Sequence, residues 1–336
     1  MKTRIAILLT AVMVLAPEFR SSPPAPLELA RTISMPGIGG RFDFFGIDLK
    51  GHRLFVTPLD NKTVEVYDLN TAKLIHSIPG IVKPHAVFYR EDRDQIFVTD
   101  GPAGSVKVFS GKNYDLVKTV EPLPAPDGGL YDPATRYLYV ITGGEGAKLD
   151  YSLIAAVDTD KAEHLGDIRI EGGTMEEMRI EKSSSRLFVV NREKNRIEIL
   201  DRQKRSVIGN WPLTLCTVPV GLAMDESNRR LFVGCRSEMM VVLDSTSGKE
   251  ITSFPLSKGI DGMAYDPARK RIYAEANTGA IDMFEEVDPD HYRSVGTIPI
   301  GSPAKPGLFV PELSRYFVAV PQHGEVDAAV LEYKVQ

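Results

Sequence analysis

One short pattern recurs seven times in this chain, and its recurrence limits the possible folds more than any other feature. It reads as a polar or aromatic residue, an apolar residue, an aromatic, then Val or Ala. The copies are Arg53-Leu54-Phe55-Val56, Gln95-Ile96-Phe97-Val98, Tyr137-Leu138-Tyr139-Val140, Arg186-Leu187-Phe188-Val189, Arg230-Leu231-Phe232-Val233, Arg271-Ile272-Tyr273-Ala274 and Arg315-Tyr316-Phe317-Val318. Their aromatics fall at 55, 97, 139, 188, 232, 273 and 317, a spacing of 41 to 49 residues. Seven copies of one unit fill nearly the whole chain, and a fixed period of this size is the mark of a repeat architecture.

Each copy carries four short strand signals, and nowhere does a helical apolar period persist. Ahead of the aromatic stands a segment such as Gly221-Leu222-Ala223-Met224-Asp225, then a polar turn such as Pro267-Ala268-Arg269-Lys270. After it comes an alternating strand ending in an acid, such as Val64-Glu65-Val66-Tyr67-Asp68. A further turn, Thr246-Ser247-Gly248-Lys249 in one copy, leads to a fourth strand, there Ile251 to Phe254. Four antiparallel strands per unit of this length make one propeller blade.

A four-stranded sheet with two apolar faces cannot bury both alone, so the blades must pack around an axis and the ring must close. The seventh copy runs out after its third strand, near Ala328 to Tyr333, while an orphan strand, Leu27 to Ile33, precedes the first. That orphan is followed by Met35-Pro36-Gly37, much as the fourth strand Leu74 to Ile78 is followed by Pro79-Gly80. The expected fold is all-β: a seven-bladed β-propeller of four-stranded antiparallel blades, residues 27–336, closed by the N-terminal strand completing the last blade.

The repeats resemble the YVTN β-propeller family (YncE-like proteins). Pro219-Val220-Gly221-Leu222-Ala223-Met224-Asp225, Arg230 to Val233, and Asp244 to Lys249 follow that family's unit closely, and Phe97-Val98-Thr99 carries three letters of its eponymous tetrad. Only Phe188 to Asn191 keeps the tetrad's final Asn, and the fourth and seventh copies lack the Gly of the first strand. The resemblance implies an exported propeller that binds something; related propellers include interaction modules, lactonases and dehydrogenase subunits. Fold alone does not choose among these.

Export also has a signal of its own. Lys2 and Arg4 precede an uncharged run, Ile5 to Ala16, in which only Thr10 is polar, the order of a secretory leader. As a helix it would reach about 18 Å against the roughly 30 Å of a bilayer core, too short for a stable span. Residues 1–22 read as a signal peptide and the start of a linker, and 23–26 as a Pro-rich linker; the alternative is a short buried N-terminal helix. A periplasmic or secreted protein is expected. The balance of 40 Lys plus Arg against 45 Asp plus Glu, net −5, gives no long-range attraction for a polyphosphate, so nucleic acid is not an expected partner.

The repeat lets equivalent positions be compared. Twelve residues before each aromatic stands the residue that enters the innermost strand at the mouth of the central channel: Asp43, His85, Asp127, Glu176, Val220, Asp261 and Lys305. Six of these seven are ionisable. An acidic ring attracts cations or cationic ligands, and Asp43, Asp127, Glu176 and Asp261 are candidate ligands for calcium or another divalent ion. His85, between Asp43 and Asp127 on adjacent blades, is an acid–base candidate. Glu177, Asp100 and Asn191 are placed close by, Glu177 as a further ligand-binding candidate. A solvated polar rim is the plainer reading of the same ring.

The third copy holds an insertion, Gly143-Gly144-Glu145-Gly146-Ala147-Lys148-Leu149-Asp150, expected on the same face as a lid, a partner contact or a simple surface loop. Cys216 and Cys235 fall at one edge of one sheet, either bonded or as two separate thiols. There is no Cys-x-x-Cys, no His-Glu-x-x-His and no Gly-x-Ser-x-Gly, so redox, zinc-peptidase and nucleophile-elbow chemistry have no motif here. The leading expectation is a non-enzymatic platform for an unknown small ligand, envelope component or protein. The rival is a metal-assisted lactonase-like hydrolase in which the acidic ring holds the ion and His85 moves the proton. A structural or adhesion component of the cell surface is the third.

Overall fold

The computed structural model describes residues 25–301 and 307–336. Most of the leader and linker segment and Lys305 lie outside the described residues. Seven four-stranded antiparallel sheets are present, each built from consecutive strands except the last. The seventh sheet takes its outermost strand from the other end of the chain: Leu27–Met35 pairs antiparallel with Ala328–Val335.

The innermost strands are Phe42–Asp48, Pro84–Arg90, Gly129–Asp132, Met175–Ile180, Pro219–Asp225, Ile260–Asp266 and Gly307–Val310. The second strands that follow them hold the recurring aromatics. They show no inside–outside alternation; Arg53–Pro58 and Gln95–Asp100 are buried on both faces after their first residue. Both faces of such a strand press on neighbouring blades, which suppresses the two-residue period of a half-exposed sheet. Phe55, Phe97, Tyr139, Phe188, Phe232, Tyr273 and Phe317 are all fully buried, and each contributes about 1.5–3 kcal/mol through burial. The outer strands face solvent, as in Lys73–Ile78.

Seven apolar clusters make up the core, each drawn mainly from two adjacent blades. An open stack of seven sheets would have six such seams. The seventh joins Phe317 and Ala319 of the last blade, with Ile33 and Met35 of the N-terminal strand, to Phe45, Leu54 and Val56 of the first. The first hairpin of most blades turns through a left-handed residue just before the second strand: His52, Asp94, Arg136, Arg229, Lys270 and Ser314 all have positive φ. Among the described residues the only helical pieces are single turns, Glu145–Ala147 and Pro311–Leu313, and no helix is long and apolar enough to cross a membrane.

Candidate functional site

The mouth of the channel is shaped by a fault repeated in the inner strands. The pairing register slips between Phe42 and Phe45, Pro84 and Val87, Met175 and Met178, Pro219 and Gly221, and Ile260 and Gly262. A bulge re-aims the side chain it carries, and the slips fall at Asp43, His85, Glu176, Val220 and Asp261. In the third blade Asp127 precedes the strand, its backbone N–H donating to the Ile141 carbonyl at 2.9 Å. Asp43, His85, Asp127, Glu176 and Asp261 all line one cavity of about 710 Å³ at this end of the channel. Val220 is buried instead and lies outside its lining.

The first three of these residues meet. His85 Nδ1 lies 2.7 Å from Asp43 Oδ2 and 3.3 Å from Asp127 Oδ1. Burial pulls the imidazole toward its neutral form, but the hydrogen bonds and charges of Asp127 and Asp43 outweigh it, and the ring is pushed up to about 9. At neutral pH His85 is therefore an imidazolium clamped between two carboxylates, a proton donor and not a ready base.

Glu176 and Asp261, expected with Asp43 and Asp127 in one carboxylate set, instead have arginine partners. Arg192 Nη1 donates to Glu176 Oε1 at 2.6 Å, and Arg236 Nη2 to Asp261 Oδ1 at 3.3 Å. Burial raises the Glu176 carboxyl to about 7 against the opposing pull of Arg192 and Arg236. Glu177 turns into the wall, accepting the Leu222 N–H at 2.7 Å and an Arg179 N–H at 3.0 Å, and burial raises its carboxyl as well. Arg179 in turn donates to the Met263 carbonyl two blades away at 2.9 Å. With Arg41 also in the lining, the mouth carries both signs of charge, its arginines set among the four acids of the expected ring.

Asp100 and Asn191 are fully buried and outside the cavity. Each ends a second strand and turns inward to satisfy local groups. Asp100 accepts the Val82 and Lys83 N–H groups at 2.8 and 2.9 Å and pairs with Lys107; Asn191 donates to the Glu171 carbonyl and to Glu198. The insertion of blade three folds against its neighbours, with the Glu145 N–H on the Gly173 carbonyl and the Gly143 N–H on that of Pro124, and does not line the cavity. Cys216 and Cys235 form a disulfide.

Arg192 and Arg236 are the residues that sequence reasoning missed, although a signal exists. Each stands four residues after its blade's aromatic, Phe188 and Phe232, where the second strand delivers a side chain to the same mouth. The corresponding position in blade two is Gly101.

Fold and site together define a closed seven-bladed β-propeller with a charged cavity at one end of its axis. No protein-family model matches the chain. A stretch of 104 residues is 31% identical to "Uncharacterized protein YncE" of Salmonella typhi and 30% identical to the protein of that name in Salmonella typhimurium. The match covers 30% of this chain and 29% of each relative, so it spans less than a third of their length. Over that stretch the chain is similar to YncE, and the fold is that of a seven-bladed β-propeller. Among solved structures, a chain of the mitotic checkpoint complex superposes with a TM-score of 0.76 at 12% identity over 99% of both chains. A chain of Kuenenia stuttgartiensis hydrazine synthase does so at 0.75 and 16% identity, over 92% of this chain and 100% of that one. At such identities these two speak for the fold alone.

Proposed function

We propose that this propeller is an exported binding platform whose ligand enters the channel mouth. The observation that carries the reading is the cavity of about 710 Å³ on which Arg192, Arg236, Glu176, Asp261 and His85 converge. A concave site with a few convergent polar groups is the usual form of a small-molecule pocket. Charges of both signs a few ångströms apart complement a small polar ligand that itself carries both, such as a peptide fragment. Export is supported by the leader pattern from Lys2 to Ala16 and by the Cys216–Cys235 bridge, since disulfides persist in oxidising compartments.

The test is calorimetry of the purified chain, in chelator, against short peptides and envelope-derived fragments. A ligand whose binding disappears in the Arg192→Ala, Arg236→Ala double variant supports the platform. Ligands bound equally well by that variant would move the binding face elsewhere.

The hydrolase reading is favoured by one observation, the meeting of Asp43, His85 and Asp127. An imidazolium there would serve as general acid, so that reading predicts a rate that falls as His85 deprotonates. Loss of lactone hydrolysis in His85→Gln would bear it out, and absence of hydrolysis with any divalent ion would dispose of it.

A further inference from the structure

We infer that Asp43, His85 and Asp127 form a binding site for a first-row divalent transition ion such as Zn²⁺, with one ligand atom from each of three consecutive blades. The inference names a ligand class at the same mouth and shares only His85 with the residues on which the platform reading rests; Arg192 and Arg236, on which that reading is tested, take no part in it.

The three ligand atoms lie close enough to become one face of a coordination polyhedron after shifts of a few tenths of an ångström. Ligands held about 2.0–2.2 Å from an ion sit roughly 3–3.5 Å apart. Here Nδ1 is 2.7 Å from Asp43 Oδ2 and 3.3 Å from Asp127 Oδ1, and all three ligand atoms lie within 4.8 Å of one another. Among the described residues no other group of three or more His, Cys, Asp or Glu side chains gathers in this way. The imidazole and the Asp43 carboxylate are mostly buried, whereas Asp127 is 55% exposed, so an ion can enter from the cavity and the third ligand can adjust onto it.

Ligand chemistry decides between metals. Calcium prefers six to eight oxygens, and this face offers two carboxylates and a nitrogen. Imidazole with carboxylate suits Zn²⁺, Co²⁺ and their neighbours; the ion takes the place of the Nδ1 proton, which leaves to solvent, and the open side toward the cavity leaves room for water or an organic ligand. The imidazole is seated by Gly101: a β-carbon there would lie 2.8 Å from Nε2. The two arginines at this position in blades four and five are thus replaced in blade two by the residue that lets a histidine lie flat.

The experiment uses the whole purified chain, treated with chelator and dialysed, without organic ligand. ZnCl₂ is titrated by calorimetry, and CoCl₂ by visible absorption, whose d–d bands report nitrogen and oxygen ligation. One equivalent should bind. Because even outer-shell partners of a metal are worth about 10–100-fold in affinity, losing a ligand in His85→Gln or Asp127→Asn should cost at least about 100-fold. Near-UV circular dichroism checks that the variants fold; should either fail, Asp43→Asn and the cobalt spectrum of the unaltered chain decide alone. Binding of neither ion, or equal affinity in the folded variants, overturns the site. Either result leaves the arginine-dependent platform to be judged by its own titration in chelator.

Discussion

Gly101 and His85 are in direct contact across the second blade: a side chain of even one carbon at 101 would come 2.8 Å from Nε2 and 2.9 Å from Cδ2. The imidazole is a terminal group that can swing, so Gly101→Ala should displace the ring and spare the blade. We expect a folded protein, destabilised by about 1–3 kcal/mol, the usual cost of adding bulk to a filled site. The His85 resonance should titrate closer to its ordinary value near 6.5 than to about 9. An unchanged titration by NMR would mean that the contact does not hold the ring in place.

The clamp on His85 has a sign that pH can test. Its folded value, about 9, is above the ordinary 6.5, so its stabilisation is complete below about 6.5 and is lost as pH rises through about 9. In chelator, the stability difference between the unaltered chain and His85→Gln should therefore shrink steadily from about pH 6 to about pH 9.5. Comparing the two cancels the titrating groups that His85 does not touch, leaving the His85, Asp43 and Asp127 cluster. A constant difference would place the charge elsewhere.

Arg192 pulls against burial at Glu176, which rests at about 7. Removing that pull in Arg192→Gln should drive the carboxyl higher still, because desolvation would then act with less opposition. The carboxyl carbon shift followed by NMR is the direct reading. A value that stayed put or fell would show that the 2.6 Å ion pair does not form in solution.

The repeat was legible because every blade needs a buried aromatic on its second strand, and Phe55 through Phe317 meet that need with hardly a change of spacing. The same period picks out Asp43, His85 and Asp127, which lie together in the lining of one cavity. Arg192 and Arg236 are not marked by the entry positions of the first strands, because a channel mouth is built from two places per unit: the entry of the first strand and the residue just past the exit of the second. Asp100 and Asn191 adjoin the mouth in the chain but do not line the cavity, for a different reason. Their sequence position is right for the mouth, but a polar side chain at a strand end is drawn inward by unpaired loop amides, and no spacing records which way it turns.

Ring closure makes the N-terminal strand part of the core. Ile33 and Met35 are fully buried in the seam between the last and first blades, whereas Leu29 on the same strand is 51% exposed. Met35→Ala should cost about 2–5 kcal/mol, as large-to-small changes in a core do, and Leu29→Ala should fall within about 0.5 kcal/mol. Urea denaturation of the two variants measures both. Equal, small effects would mean that the strand is not holding the seam.

The disulfide tests a contribution that no folded-state contact reveals. Cys216 and Cys235, 19 residues apart in sequence, are bonded and buried within the cluster between blades four and five. Closing a loop of that length restricts the unfolded chain, and the entropy so removed amounts to about 3 kcal/mol. The Cys216→Ala, Cys235→Ala double variant keeps the site apolar, so its loss should lie mainly in the unfolded state. The more expanded denatured chain should also give a steeper dependence on urea. Unfolded without reductant, the unaltered protein should show no reactive thiol. Two thiols found there, or a double variant as stable as its parent, would leave the edge of blade five held by packing alone.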